Sequence, residues 1–360
     1  MRHQDYHVGW ICALATELAA AISMLDEEHE PLDQFPGDDN SYKCGRIGRH
    51  NVVIACLPAG VYGTTSAANV AGDMMRSFPG VRIGLMVGVG GGIPTRKTDI
   101  RLGDIVVGRP TDTAGGVVQF DMGRVRPGGF LQPTGMLNRP PDILLNALNT
   151  LMANHQLRGS RIPAILRESA ANNSRWRRAS AYPGASQDRL FQHDYHHVGT
   201  DGDCESCDLD QLVPRNERED AEPVVHYGIV ASGNQVVRDG VTREKVRREL
   251  RAMCFEMEAA GLVSNFRCLV IRGICDYSDS HKNKDWQPYA AAVAAACAKE
   301  LLESIAPQQA ARVPEWSEGN HVNGGDQFTV NNYGTIGSQV GKQTSHGPMY
   351  FGTVNNHYRQ

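Results

Sequence analysis

Three acidic residues stand at the ends of apolar segments, where carboxylates can carry out acid–base chemistry. Asp276 follows the apolar run 268–274, which predicts a buried central strand. Glu258 ends the run 254–258, and Glu17 falls in the first turn of a helix predicted from residue 13, after a short strand over residues 7–12. Ligands of α/β sheets bind where parallel strands end. The three positions therefore predict carboxylates at the rim of a ligand crevice.

Each of these acids also has a purely structural interpretation. Glu258 could cap a helix and Asp276 could stabilise a turn. Glu17 could interact with the helix dipole, which is worth about 0.3–1 kcal/mol. For a single acid the structural interpretation is the better one, but three acids in such positions favour chemistry.

Two glycine-rich segments, residues 58–66 and 88–92, follow predicted strands. As loops, both could bring backbone N–H groups against an anion or a sugar, because glycine has no Cβ. Neither segment contains Gly-Lys-Ser/Thr, and residues 88–92 lack the spacing of a dinucleotide fingerprint. ATP-driven phosphoryl transfer is therefore not expected.

Several motifs in order resemble the nucleoside phosphorylase and nucleosidase superfamily, in particular the nucleosidase-like domains of fungal and immune-receptor-like proteins. The motifs are GWICALATE at 9–17, VGVGGGIP at 87–94, RLGDIVV at 101–107, ASGNQVVRDG at 231–240, FEMEAAG at 255–261 and RGICD at 272–276. The resemblance covers about residues 5–305. It implies an α/β fold, a three-layer α/β/α sandwich with a twisted mixed sheet, and assembly into a homo-oligomer.

The resemblance also implies cleavage of a purine N-glycosidic bond, with a role for each acid. Asp276 would protonate or hydrogen-bond purine N7 so that the base leaves neutral, a contribution of about 10² to 10⁴ in rate, provided that its surroundings favour the protonated carboxyl. Glu258 would hold the ribose hydroxyls and stabilise an oxocarbenium-like sugar, with Met257 against the ribose face. Glu17 would activate water.

The same resemblance implies which residues bind the base and which bind the phosphates of the substrate. The turn with Ser232, Gly233 and Asn234 would line the base site. A nucleotide's phosphates would meet Gly90, Gly91, Gly92, Thr64, Thr65 and Arg101. A purine follows from the role of Asp276, but the residues do not distinguish adenine from guanine. Resemblance to ATP-cleaving relatives favours adenine release from ATP or a related adenine nucleotide.

The sequence favours water over phosphate as the nucleophile. Val89 stands where some family members carry a phosphate-contacting serine. Basic residues from other segments keep a phosphate-dependent purine nucleoside phosphorylase as the alternative: Arg46, Arg82, Arg96, Lys97 and Arg101. A second alternative is a nucleotide-sensing signalling module that binds without turnover.

Composition is that of an ordinary globular protein. The 360 residues are 41% hydrophobic and 21% charged, with a net charge of −4, so nucleic acid is not an expected partner. No 18-residue apolar window and no apolar signal core are present, which predicts neither secretion nor a membrane span. Nine cysteines, several in apolar runs, suit reduced thiols and a cytoplasmic location.

A polar insertion at about residues 155–222 is expected to form a surface excursion or lid within the catalytic domain, residues 1–310. It contains His197, Cys204 and Cys207, a Cys-x-x-Cys pair with a nearby histidine that fits a structural zinc site. Free thiols or a disulfide are the alternatives. Catalysis is expected to need no cofactor, since the three acids account for it.

Residues 311–360 form a tail rich in Gly and Asn, with few aliphatic residues. Such a composition buries too little apolar surface to offset the entropy of folding, which predicts a flexible tail. The sequence Thr-Val-Asn-Asn occurs at 329 and again at 353. This repeat resembles amyloid signalling motifs and suggests self-association, with a plain linker as the alternative.

Overall fold

A computed structural model describes residues 1–127, 130–171, 173–199 and 204–306. The predicted tail, residues 311–360, lies outside the described residues. The strands are β1 (Val8–Cys12), β2 (Glu27–Glu28), β3 (Tyr42–Ile47), β4 (His50–Cys56), β5 (Ile83–Gly92), β6 (Ile105–Gly108), β7 (Val117–Gln119), β8 (Gly123–Arg126), β9 (Phe130–Pro133), β10 (Val225–Ser232), β11 (Ala252–Glu256) and β12 (Cys268–Asp276). The helices are α1 (Ala15–Ser23), α2 (Thr64–Ser77), α3 (Asp142–Arg158), α4 (Ile162–Ala171), α5 (Ser174–Ala179), α6 (Gly240–Leu250), α7 (Ala259–Leu262) and α8 (Gln287–Glu303).

The main sheet is mixed and has the order β11-β10-β6-β12-β5-β1-β4-β3-β2, with β7 on β10. Strand β5 is parallel to β1 and β12, whereas β12 is antiparallel to β6. Strand β11 also pairs with β5, through Cys254 with Gly92 and Phe255 with Gly91. The ring β5-β12-β6-β10-β11 is therefore closed. The mixed α/β sheet is confirmed, whereas the three-layer sandwich is not, because these five strands form a barrel.

Apolar side chains on both faces of the sheet explain why these segments fold as central strands. In β1, Val8 and Trp10 pack in one core cluster with α1 and α8, while Ile11 packs in another with α2. Alternation of this kind is what a strand covered on both sides requires. Helix α8 lies close to β12, where a Cβ added to Gly273 would stand 1.9 Å from the Ala290 carbonyl oxygen.

The glycine run at 88–92, expected to be a loop, instead continues strand β5 to Gly92. At Gly91 this strand pairs with β11 on one edge and with β12 on the other. A Cβ on Gly91 would lie 1.9 Å from Ser278 Oγ, and one on Gly90 would lie 2.8 Å from the Phe255 carbonyl oxygen. The glycines thus allow the close approach of strands that closes the barrel.

The insertion is more firmly attached than a surface excursion. Helix α4 belongs to it and buries Ile162 and Ile165 in the core cluster that contains α8. Further along, Arg218 Nη1 lies 2.6 Å from Asp104 Oδ1 on the main domain. The expected surface excursion or lid is therefore packed against the rest of the domain at α4 and ion-paired to it at Arg218.

Among the described residues, no helix combines the length and the apolar character needed to cross a bilayer.

Candidate active site

The predicted acids meet in a cleft of about 300 Å³ at the point where the barrel closes. Strands β5, β11 and β12 end there, beside the start of α1. The lining residues include Ala13, Leu14, Glu17, Tyr62, Val89, Gly90, Gly91, Phe255, Met257, Glu258, Asp276, Ser278, Lys282 and Lys284. The crevice expected at the strand ends is thus present, and it contains Glu17, Glu258 and Asp276 together.

Glu17 is buried and held by backbone donors. Its Oε2 accepts hydrogen bonds from the N–H groups of Ala13 at 2.7 Å and Leu14 at 3.0 Å, and its Oε1 accepts one from Val89 at 2.8 Å. Burial raises the pKa of the Glu17 carboxyl, although Arg272 and the three N–H donors act in the opposite direction. The side chain therefore caps its own helix and also presents a fixed carboxylate to the cleft.

Glu258 lies near a buried arginine that it shares with another acid. Arg272 Nη2 is hydrogen-bonded to Glu256 Oε2 and lies 3.6 Å from Glu258 Oε2. Burial raises the pKa of Glu258 to about 7; Arg272 opposes this shift, while the charges of Glu256 and Glu17 add to it. Glu258 can therefore change its charge near neutral pH, at a position facing the cleft.

Asp276 ends β12 at a bulge, where the register against β5 shifts. Its Oδ1 accepts a hydrogen bond from the Ser278 N–H at 2.9 Å, as in the turn interpretation. Its Oδ2 lies 2.9 Å from Lys282 Nζ. Burial acts to lower the pKa of Lys282, but Asp276 and Cys275 together act in the opposite direction and the pKa is raised. The role expected of Asp276 requires surroundings that favour its protonated form, whereas the structure places a cation beside it.

The residues predicted for the base are not among those that line the cleft. Ser232 is fully buried, and its Oγ accepts a hydrogen bond from the Ala260 N–H at 2.9 Å. Asn234 Oδ1 accepts hydrogen bonds from the N–H and the hydroxyl of Thr64. A Cβ on Gly233 would lie 2.8 Å from Asp121 Cγ. The next residues along the chain, 235–237, line the cleft.

The residues predicted for phosphates are only partly brought together. Gly90 and Gly91 line the cleft, whereas Gly92 packs against Ile274 and Ile100. Thr65 is exposed on α2 and Thr64 is half-buried there, and neither is among the residues that line the cleft. Arg101 pairs with Asp99 and lines a separate cavity of about 680 Å³ beside the insertion.

The structure also places charged residues at the site that the acid pattern did not single out. Arg272 and Glu256 form the buried pair beside Glu258, while Lys282 and Lys284 line the cleft. Arg272 lies within the otherwise apolar strand β12, and a charged residue at such a position is the signal that could have identified it.

No protein-family model matches the chain. The chain is 49% identical over 308 residues to a "Nucleotide-binding leucine-rich repeat (NLR)-like protein" of Hyaloscypha variabilis. That alignment covers 85% of this chain and 30% of the relative, so the chain spans less than a third of the relative's length. It is also 25% identical over 315 residues to a 5'-methylthioadenosine/S-adenosylhomocysteine nucleosidase of Mycobacterium bovis, covering 83% of this chain and 96% of that enzyme.

Solved structures agree with this likeness. The futalosine hydrolase of Helicobacter pylori has a TM-score of 0.53 and 17% identity, over 84% of this chain and all of that one. The 5'-methylthioadenosine/S-adenosylhomocysteine nucleosidase of the same organism has a TM-score of 0.53 and 18% identity, over 84% and 99%. The chain therefore has the nucleoside phosphorylase/nucleosidase fold, as its motifs predicted.

Proposed function

We propose that the protein hydrolyses the N-glycosidic bond of a purine nucleotide or nucleoside. The observation that carries this proposal is the convergence of Glu17, Glu258 and Asp276 on one cleft of a nucleosidase-like fold. Each carboxylate stands on a different element, so a substrate between them can meet one acid at the base, one at the ribose and one at the attacking water.

At the base, Asp276 is positioned to hydrogen-bond purine N7, and a proton passed from its carboxyl to N7 lets the base leave neutral. The Lys282 ammonium, with Nζ 2.9 Å from Asp276 Oδ2, holds the carboxyl in place. At the ribose, the ionised Glu258 accepts hydroxyl hydrogen bonds and stabilises the developing positive charge of the sugar.

At the nucleophile, Glu17 orients water. Three backbone N–H donors hold its two oxygens in place, and Oε1 accepts only one of these bonds, which leaves a lone pair for a water proton. A carboxylate that is already fixed needs no reorganisation when the water attacks the anomeric carbon.

Water is favoured over inorganic phosphate because no arginine is among the described residues that line the cleft. The basic residues considered for phosphate lie elsewhere. Arg46 pairs with Glu27, Arg82 donates to the Val81 carbonyl, and Arg96 and Lys97 are exposed. Phosphorolysis remains the alternative that a phosphate-dependence assay distinguishes.

For the substrate we propose adenine release from ATP or a related adenine nucleotide. The exposed Lys284 at the cleft is suited to a phosphate chain, and Lys282 stands beside it. The likeness to a nucleotide-binding leucine-rich repeat (NLR)-like protein supports the proposal that the chain acts on a nucleotide. Homo-oligomeric assembly and a cytoplasmic location, which the sequence predicted, are part of the same proposal.

The Lys284→Ala variant tests the substrate proposal. Loss of one phosphate contact is expected to lower kcat/KM for ATP about tenfold, equivalent to about 1.4 kcal/mol, and to leave adenosine cleavage unchanged. Lys43→Ala, at an exposed lysine on strand β3, is the matched control. Equal effects of Lys284→Ala on ATP and adenosine would contradict a phosphate contact.

A further inference from the structure

Two described stretches of the insertion, residues 190–199 and 204–213, pack together around very few apolar side chains. Phe191 and Leu212 face each other in an isolated bridge, and the Val213 N–H donates to the Leu190 carbonyl at 2.8 Å. The buried members of their small cluster are Phe191 and the two cysteines, Cys204 and Cys207. So small a core is typical of segments stabilised by a metal or another cross-link.

Three soft ligand atoms lie together in this segment. The two sulfurs of Cys204 and Cys207 and a ring nitrogen of His197 are all within 4.8 Å of one another. Zinc with Zn–S bonds of about 2.3 Å would bring two sulfurs to about 3.8 Å, so a small contraction completes the geometry. The His197 Nε2 is buried and has no hydrogen-bond partner, which leaves it available as a ligand.

A second histidine, from the loop that follows β12, lies next to His197. His281 is 7% exposed, and neither of its ring nitrogens has a hydrogen-bond partner. Its ring centroid lies 5.5 Å from that of His197. Two imidazoles on one tetrahedral zinc, with Zn–N bonds of about 2.0–2.1 Å, have centroids about 5 Å apart, so this separation suits a shared ion.

The surroundings of His281 indicate which nitrogen would bind. Its Nδ1 lies 3.6 Å from Asp279 Oδ1, and its ring stacks on Phe191 with centroids 4.0 Å apart. A carboxylate beside one nitrogen of a ligating histidine commonly orients the other toward the metal. This arrangement leaves Nε2 of His281 for the ion.

We propose that His197, Cys204, Cys207 and His281 bind one structural zinc ion that joins the insertion to the loop after β12. Two thiolates neutralise the charge of the ion, so such a site can be buried. The site adds His281 to the three residues predicted from the sequence, and it places the ion between two parts of the domain.

The zinc site would stabilise the loop that carries the active-site cation. The backbone N–H of His197 donates a hydrogen bond to Oγ of Ser280 at 2.9 Å. Ser280 directly precedes His281 in the chain. The residue after His281 is Lys282, which pairs with Asp276. A metal bound at His281 therefore restricts the position of Lys282, although no ligand touches the substrate cleft.

Metal analysis of the full-length protein tests the site without reference to catalysis. After dialysis against Zn²⁺ and removal of free metal, we expect one zinc per chain. X-ray absorption should show two sulfurs at about 2.3 Å and two nitrogens at about 2.0–2.1 Å. Absence of zinc from the dialysed protein, or a shell without sulfur, would overturn the proposal.

Two variants separate the ligands. Cys207→Ser should abolish stoichiometric zinc binding, while His281→Gln should lower zinc affinity about tenfold or more and remove one nitrogen from the shell. His193→Gln, an exposed histidine of the same segment, is the matched control and should retain the ion. An unchanged shell of two sulfurs and two nitrogens in His281→Gln would exclude His281.

If Cys207→Ser does not fold, the wild-type protein with bound cobalt(II) supplies the test of the thiolate ligands. Thiolate-to-cobalt absorption is expected, and its absence would contradict the site.

Discussion

At the scale of single residues, one buried cation lies among three buried carboxylates. Arg272 interacts with Glu256 and lies near Glu258, and its charge also acts on Glu17. If all three acids were ionised, two negative charges would remain uncompensated in a desolvated place, which is costly. Burial raises the pKa of Glu258 to about 7, and the charges of Glu256 and Glu17 add to this shift.

This pKa predicts how base release depends on pH. If the ionised Glu258 holds the ribose, the rate rises as pH increases through about 7. Glu258→Gln should lower the rate and remove this rise. Initial rates of both proteins between pH 5.5 and 8.5 check the prediction, and an equally steep rise in the variant would contradict it.

The stability of the fold should change with pH in the opposite direction to the rate of base release. A carboxyl whose pKa rises from 4.5 to about 7 on folding binds its proton more tightly in the native state than in the unfolded chain. The stabilisation is complete below the unfolded pKa and is lost as pH rises through about 7. The melting temperature of wild type relative to Glu258→Gln should therefore fall between pH 5 and 8.

Asp276→Asn tests the acid at the base. The amide keeps the shape of the side chain but cannot relay a proton, so base release should fall about 10² to 10⁴-fold with little change in melting temperature. Glu17→Gln should likewise abolish hydrolysis while sparing substrate binding. Full activity in a correctly folded Asp276→Asn variant would remove Asp276 from the mechanism.

The sequence predicted the acids but not the cations that accompany them. Asp276 and Glu17 follow apolar runs whose ends can be located from the pattern alone. Lys282 meets Asp276 only because the chain turns back after β12, and Arg272 meets acids that come from residues 17, 256 and 258. Spacing along the chain contains no information about such contacts.

At the scale of elements, the end of β5 positions the site. The Val89 N–H holds Glu17, and Gly88 leaves room for both Glu17 and Arg272. A Cβ at Gly88 would lie 2.4 Å from Glu17 Oε1 and 2.6 Å from Arg272 Nη1. The glycine is therefore needed for close approach of buried side chains rather than for an unusual backbone angle.

Gly88→Ala should accordingly displace Glu17 and Arg272. We expect a loss of about 1–3 kcal/mol in the free energy of unfolding and a clear loss of base release. The control is Gly72→Ala on helix α2, where the nearest atom to the added Cβ is Arg76 Nη1 at 3.9 Å. That change should stabilise the protein by up to about 1 kcal/mol. Urea denaturation measures the free energy of unfolding of both variants. Equal values for Gly88→Ala and Gly72→Ala would contradict the role given to Gly88.

Most strands could be predicted from apolar runs, as β1, β4, β10 and β12 show. Barrel closure could not, because it depends on pairing of Cys254 and Phe255 with glycines more than 160 residues earlier. The sequence predicted a loop at residues 88–92 because glycine is uncommon in strand interiors. The close packing of β5 between β11 and β12 explains why glycines occupy this strand.

At the scale of the whole molecule, the described core lies within the predicted catalytic domain, residues 1–310. The core clusters draw their buried residues from Tyr6 to Ile305, and Met1–Trp316 forms one compact unit. Deletion of residues 317–360 should therefore leave the melting temperature and the rate of base release per chain unchanged. Calorimetry and initial rates test this. Loss of folding or activity in the shortened chain would contradict it.

The most direct test of the central claim is chromatography of the purines released from ATP, AMP, adenosine and inosine by the purified protein, with and without inorganic phosphate. Hydrolysis by Glu17, Glu258 and Asp276 predicts free adenine from ATP in the absence of phosphate, and much less from Asp276→Asn. Base release only when phosphate is present, or no release from any of the four compounds, would contradict the claim.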